Sequence, residues 1–255
     1  MAIRTLLSTG RHSVSVILDE RVRTALTAET RFKDVRLLES AGSTNRLVAD
    51  LAADGAEEGL VIAADFQTAG RGRLDRTWDA RPGDGLLVSV LLRPEDLEAS
   101  RRHLVTAAAA LAAQDACWSL SGVRADIKWP NDLLVSDGKL AGILAEASGS
   151  AVVVGMGLNV HGGPPGASVL DEQAGRRVRR EDLLVAWLRG LDDLAGDWSN
   201  VAEQYRRRCA TVGRQVTVQL AGGESITGLA EAVDEVGRLV VEGRSVAVGD
   251  VTHLR

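Results

Sequence analysis

The apolar positions of this 255-residue chain change period several times along its length. Residues 43–54 space leucine, valine and alanine helically behind Ser43, and Gly55 follows, which predicts a capped helix. Residues 60–65, 86–92 and 152–160 are nearly unbroken apolar runs of strand length, the pattern of strands covered on both faces. Residues 101–118 are rich in alanine and read as helix, as do residues 180–208. Between them, residues 127–146 read as a hairpin turned at Asp137-Gly138. Residues 67–85 form a polar loop rich in glycine and arginine.

At about Gly213 the period shortens. Residues 215–220, 226–233, 239–242 and 245–248 are short β-like runs broken by Gly222-Gly223, Gly237 and Gly243. Their density, about five strands in about forty residues, suggests an SH3-like β-barrel too small to be very stable alone. Residues 1–30 are polar and weakly patterned, and are expected to be an arm with little fixed structure. The expected organisation is that arm at 1–30, a catalytic domain at 31–211 and the small β domain at 212–255. The fold class is α+β: a mixed β-sheet with flanking helices, then the barrel.

Composition narrows the chemistry. The net charge of −5 gives no general attraction for nucleic acid or an anionic membrane. No apolar run approaches the roughly 20 residues of a membrane span, and the N-terminus lacks a secretory pattern, so a cytoplasmic protein is expected. Cys117 and Cys209 show neither paired nor metal-type spacing. Of the 30 basic residues only three are lysines (Lys33, Lys128 and Lys139), the other 27 being arginines. Lysine is a compact point charge where arginine is a planar fork, so a lysine in such a chain is a candidate contact for phosphate or carboxylate. Codon bias explains three scattered lysines equally well.

The loop Gln67-Thr-Ala-Gly-Arg-Gly-Arg73 joins glycines, which permit close approach, to arginines that can close on an anion with forked hydrogen bonds. A solvated turn is the plainer alternative. The chain has no Gly-x-x-x-x-Gly-Lys-Ser/Thr phosphate loop, and neither Gly70-x-Gly72 nor Gly155-x-Gly157 has the third glycine of a dinucleotide fingerprint. Nor is there a Gly-x-Ser-x-Gly elbow, so a side-chain nucleophile is not indicated. Trp78 and Trp129 lie inside polar motifs and are candidates to wall a pocket, whereas Trp118, Trp187 and Trp198 read as core.

Taken in order, Ser43-Thr-Asn45, the Gly-Arg-Gly-Arg loop with Trp78, Lys128-Trp-Pro-Asn-Asp132 with Lys139-Leu-Ala-Gly-Ile-Leu144, and Gly155-Met-Gly-Leu-Asn-Val160 resemble the biotin protein ligase family. The glycine-rich tail, ending at Val251-Thr-His-Leu-Arg255, resembles the family's small barrel, and the likeness spans about residues 35–255. The resemblance implies a class II synthetase-like biotin–lipoate ligase fold and a two-step reaction. Biotin and MgATP give biotinyl-5′-AMP, from which a lysine of a biotin carboxyl carrier domain, belonging to an acyl-CoA or pyruvate carboxylase, takes the biotinyl group. It assigns charge stabilisation to Lys128, Arg71 and Arg73, all three also touching biotin. Biotin contacts fall to Ser43, Thr44, Asn45, Gln67, Gly70, Gly72, Gly142 and Gly155, and adenylate contacts to Arg71, Arg73, Trp78, Lys128, Asn131 and Asn159. Mg²⁺ ligands are not assignable, and a homodimer is as compatible as a monomer.

Two departures stand out. Where family members often carry a further glycine and a lysine before the tryptophan, this chain has Asp75 and Thr77. Nothing upstream resembles a DNA-binding domain, so a monofunctional ligase is expected. The alternatives are a lipoate or octanoate ligase or transferase, and a catalytically inactive biotin-binding regulator. Activity on ATP separates the last from the others.

Overall fold

Two β-sheets share one hydrophobic core in the computed structural model, which describes residues 20–220, 223–247 and 249–254. The expectations for residues 1–19, for Gly222 and Val248, and for the terminal Arg255 lie outside the described residues. The larger sheet has seven strands: β1 (Asp34–Ala41), β2 (Leu60–Gln67), β3 (Gly85–Leu92), β4 (Asp126–Lys128), β5 (Asp132–Val135), β6 (Gly138–Ser148) and β7 (Ala151–Asn159). Their spatial order is β1-β2-β3-β7-β6-β5-β4, with β1 parallel to β2 and every other pair antiparallel.

Helices cover both faces, which is why the central strands are apolar throughout. All eight residues of β3 are buried. On one face Val61, Ala63, Val88, Val90, Val152 and Val154 join the main core under α3 (Leu104–Ser121) and α5 (Arg180–Leu194). On the other, Leu60, Ile62, Leu91, Ala151 and Val153 pack with Val48 of α2 (Thr44–Ala53). Small side chains let α3 and α5 approach closely: a Cβ on Gly190 would lie 3.3 Å from that of Ala112. Trp187, fully buried, donates its indole N–H to the Ala109 carbonyl at 3.0 Å.

The first helix, α1 (Glu20–Glu29), and the edge strand β1 are elements the apolar pattern does not display. β1 buries only Val35 and Leu37 fully enough to mark it, and α1 contributes Leu26 to the core. Arg31 then ties this segment down, bonding Asp192 at 2.6 Å, Glu58 at 3.1 Å and the Ala195 carbonyl at 2.8 Å. The hairpin expected at 127–146 is three strands, and the helical stretch at 180–208 is two helices, α5 and α6 (Trp198–Arg208), separated at Gly196, where φ is +115°. A short helix α4 (Leu170–Ala174) precedes them. Trp187 and Trp198 are buried, but Trp118 is a correction to the sequence reading: it is 47% exposed at the end of α3, with the Arg124 guanidinium 4.4 Å over its ring.

The smaller sheet follows α6 with β8 (Gln215–Gln219), β9 (Ser225–Val233), β10 (Leu239–Val241), β11 (Arg244–Val246) and β12 (Asp250–His253), all antiparallel in the order β11-β10-β9-β8-β12. It is docked on the β4–β5 end of the large sheet. Trp129 donates its backbone N–H to Thr211 Oγ1 (2.9 Å) and its indole N–H to the Gly237 carbonyl (3.0 Å), and the Tyr205 hydroxyl donates to the Pro130 carbonyl (3.0 Å). Trp129 therefore joins the two sheets rather than walling the cleft described below. Among the described residues no helix is long and apolar enough to cross a membrane.

Candidate active site

On the α2 face of the large sheet the strand pattern changes along each strand. β7 runs Ala151, Val153, Gly155, Gly157 on this face, and β3 changes from Leu91 to Ser89. Large apolar groups seal one end, and glycine and serine open the other into a cleft. The glycines are needed for close approach. A Cβ on Gly155 would lie 2.0 Å from Asn45 Oδ1, and one on Gly157 would lie 2.4 Å from Trp78 Cε2.

The inner end of the cleft is a buried polar network. Ser43 caps α2, accepting the Arg46 N–H at 3.5 Å. Gln67 Oε1 accepts from the Thr44 N–H (2.7 Å) and Oγ1 (3.1 Å). The fully buried Ser89 hydroxyl lies 2.6 Å from Asn45 Oδ1 and 2.7 Å from Thr44 Oγ1. Asn45 Nδ2 donates to the Leu144 carbonyl (3.1 Å) and to Glu146 Oε2 (2.9 Å). Polar groups this deep need partners, and these hold one another in place with hydroxyl and amide groups facing the cleft.

The mouth is cationic. The glycine–arginine loop is an ordered hairpin: Arg71 bridges Thr77, Gly72 N–H donates to the Arg76 carbonyl (2.6 Å), and the turn is Leu74-Asp75, with φ of +54° and +56°. Trp78 leaves the hairpin with its N–H on the Gly70 carbonyl at 3.0 Å and lays its indole over Gly157 and Gly142. Arg71 pairs with Glu146 at 2.9 Å. Arg73 Nη1 bonds Asn131 Oδ1 (3.2 Å) and the Gly249 carbonyl (3.3 Å). Burial lowers the Arg73 pKa, the charges of Asp132 and Asp250 offsetting only part of that cost.

Of the expected residues, Ser43, Thr44, Asn45, Gln67, Arg71 and Gly72 line this cleft, as do Arg73, Trp78, Asn131, Gly142 and Gly155. Gly70 stands just outside and carries the Trp78 contact. Asn159 lines an adjoining chamber with Trp78, Lys139 and Asp79. Its Nδ2 donates to the Lys139 carbonyl (3.1 Å), while its buried Oδ1 and the buried Trp78 Nε1 have no hydrogen-bond partner.

Lys128 sits on the edge strand β4 opposite Asp132, which in turn pairs with Gly142, so its register places it on the cleft face, and its charge bears on Asp250 and His253 of the smaller sheet. A second lysine lines the cleft itself: Lys139, its Nζ 2.8 Å from Asp132 Oδ1 and 5.5 Å from the Trp78 ring centroid. A bulge brings it there: Leu133 pairs with Ala141 but Leu134 pairs with Lys139, so odd-numbered Lys139 shares a face with Gly142, Leu144 and Glu146. Sequence alternation puts Lys139 on the wrong face. Ser89, Glu146 and Gly157 also went unnoticed, Ser89 because it hides in an apolar run.

Among the described residues no group of three or more His, Cys, Asp or Glu side chains is placed to hold a metal ion. Cys117 and Cys209 are free and buried; burial pushes the Cys117 thiol up to about 12 and raises that of Cys209, so neither supplies a thiolate.

Comparison with known proteins gives a consistent result. Residues 37–162 match the model of the biotin/lipoate A/B protein ligase family, and residues 211–254 match that of the biotin protein ligase C-terminal domain. The chain is 38% identical to a biotin–[acetyl-CoA-carboxylase] ligase of Mycobacterium tuberculosis, over 97% of this chain and 100% of that protein. It is 33% identical to a ligase of the same description from Paracoccus denitrificans, over 81% of this chain and 93% of that one. Among solved structures it is similar to the biotin protein ligase of Aquifex aeolicus in complex with biotin and ATP, with a TM-score of 0.76 and 25% identity over 88% of this chain and 100% of that one.

Proposed function

The chain belongs to the biotin/lipoate A/B protein ligase family, and from that premise we propose that it activates biotin with ATP and transfers it to a carrier-protein lysine. A biotin carboxylate oxygen attacks the α-phosphorus, the bond to the β-phosphate breaks, and pyrophosphate leaves. The ε-amine of the acceptor lysine then attacks the acyl carbon of biotinyl-5′-AMP. The bond to AMP breaks, an amide forms, and the amine gives up a proton. Both partners in the first step are anionic, so the protein's task is alignment and charge neutralisation, with no enzyme nucleophile.

The observation that carries this reading is one cleft with a hydrogen-bonding inner end and a cationic mouth. Thr44, Asn45, Gln67 and Ser89 suit a ureido head group, which both donates and accepts. The dithiolane of lipoate and the tail of octanoate offer no donor or acceptor to match these groups, whereas the ureido head group does. At the mouth, Lys128, on the cleft face opposite Asp132, keeps its expected role where the acid's carboxylate meets the α-phosphate, with Lys139, Arg71 and Arg73 alongside. Catalytic cations would have no purpose in a protein that only senses biotin. The unpartnered Asn159 Oδ1 is an acceptor for an adenine amine, Asn131 holds Arg73 at the cleft, and Trp78 covers the adenylate. Mg²⁺ arrives with ATP as part of the substrate and neutralises the departing pyrophosphate.

The acceptor is a biotin carboxyl carrier domain of an acyl-CoA or pyruvate carboxylase, the reaction being cytoplasmic. Residues 31–211 carry the chemistry and 212–255 form the attached β unit. The test is ATP–pyrophosphate exchange with biotin, lipoate and octanoate in parallel. Exchange with biotin alone is expected. Exchange with lipoate would move the protein to the sister activity, and tight biotin binding without exchange would make it a regulator.

A further inference from the structure

The two arginines beyond Arg71 on the hairpin are held by the smaller sheet. Arg76 makes a two-pronged contact with the Asp250 carboxylate, its Nη2 on Oδ2 and its Nη1 3.4 Å from Oδ1. Arg73 donates to the carbonyl of the preceding residue, Gly249, and to Asn131. Asp250 opens β12, and Leu74 at the hairpin tip is 57% exposed, so these contacts tie an otherwise protruding turn to the strand and the Asn131 loop. Nothing in the first chemical step uses Arg76 or Asp250. They nevertheless fix where Arg73 and the Trp78 lid lie.

Burial works to raise the Asp250 pKa, but its bond to Arg76 and the charges of Arg76, Lys128 and Arg73 outweigh that and hold it below the ordinary carboxylate value. The carboxylate is therefore ionised at neutral pH. Lys128, opposite Asp132 on β4, contributes to keeping it so.

Resting on the adenylate-forming reading above, we propose that Asp250 and the Gly249 carbonyl are the catch of the active-site lid, positioning the arginine hairpin over biotinyl-5′-AMP until the carrier arrives. Asp250 is a positioning residue, and the second sheet is thereby part of the catalytic apparatus. The mixed anhydride is susceptible to water, which attacks the acyl carbon, breaks the bond to AMP and yields biotin, AMP and released protons. An open lid admits that water. Releasing the catch should cause leakage more than loss of adenylation.

The experiment compares the intact protein with Asp250→Asn, Arg76→Asp and the double charge reversal Arg76→Asp/Asp250→Arg. It measures pyrophosphate exchange, AMP released per biotin transferred, and thermal unfolding. The pair is partly exposed, so each single variant is expected to raise AMP release per transfer by roughly two- to fivefold. Exchange and melting temperature should stay near the unmodified values, and the double reversal should return the leak towards normal. Retained exchange with an unchanged leak in both single variants would overturn the catch while leaving the ligase reading intact. So would a leak that tracks a lowered melting temperature and is not rescued by the reversal. Absence of biotin-dependent exchange in the unmodified protein would overturn the ligase reading and this inference with it.

Discussion

Replacing Lys139 and Lys128 separately by methionine tests whether both lysines on the cleft face stabilise the developing charge. Methionine keeps most of the stem and removes the charge. Lys139 Nζ lies at the cleft mouth, and a unit charge about 4 Å from a developing anion is worth roughly 4 kcal/mol at an effective dielectric near 20. Asp132, 2.8 Å away, and the half-exposed setting offset part of that. A net loss of about 3 kcal/mol remains, or about two orders of magnitude in adenylation rate, in the range found for removing one preorganised donor. Lys128 shares that face, directly across from Asp132, where opposed cross-strand side chains lie about 5 Å apart. At that separation and the same effective dielectric its charge is worth about 3 kcal/mol, so a comparable loss is expected. The assay is exchange of labelled pyrophosphate into ATP at saturating biotin and ATP. The reasoning is refuted if either Lys128→Met or Lys139→Met stays within about threefold of the unmodified rate.

Two further outcomes follow from contacts and titration. Gly157→Ala drives a Cβ to 2.4 Å from the Trp78 ring, so the indole must shift. The KM for ATP should rise about tenfold with little change in melting temperature, consistent with a local overpacking cost of 1–3 kcal/mol, and an unchanged KM would remove Trp78 from the nucleotide site. His103 and His253 both have pKa values lowered in the fold, in each case chiefly by burial, with nearby cations adding to it. The unfolded chain, titrating near ~6.5, therefore binds more protons than the folded one as pH falls below that value. Stability should drop between about pH 7.5 and about pH 5.5, read as a falling urea midpoint, and less so after His103→Asn/His253→Asn. A midpoint that rises on acidification, or a double variant with the same slope, would contradict the assignment.

The central strands were legible because burial on both faces leaves an unbroken apolar signature, as in residues 86–92 and 152–160. Edge elements leave none: β1 shows only Val35 and Leu37, and α1 little beyond Leu26. Most of the cleft was named through the family resemblance and not through local pattern: Gly155-x-Gly157 by itself is only an incomplete dinucleotide fingerprint, and the glycine–arginine loop by itself reads equally as a solvated turn. What stayed hidden depends on register. One bulged residue between Leu133 and Leu134 brings Lys139 to the face of Gly142, and no local pattern encodes it. Ser89 was invisible because a serine among six apolar neighbours reads as a tolerated core residue until Thr44 and Asn45 are seen against it.

The departures at Asp75 and Thr77 make sense once the loop is seen as a hairpin. Asp75 occupies a left-handed turn position that aspartate tolerates better than most residues, and Thr77 sits across from Arg71. Leu74 has no such tolerance, and a bulky residue at φ +54° weakens the closed turn. Closure must therefore be stabilised elsewhere. It is, by cations that each hold a carboxylate or carbonyl: Arg71 with Glu146, Arg73 with Gly249, Arg76 with Asp250. The division of labour follows from position. Arg71, facing the cleft, can exchange Glu146 for a phosphate oxygen at little cost, because a half-exposed ion pair is worth no more than about 1 kcal/mol. Arg76, facing away, meets no substrate and keeps its partner throughout. On the proposed adenylation reading, one strand pair would carry both the exchangeable charges that meet the reacting anions and the fixed charge that keeps them in place.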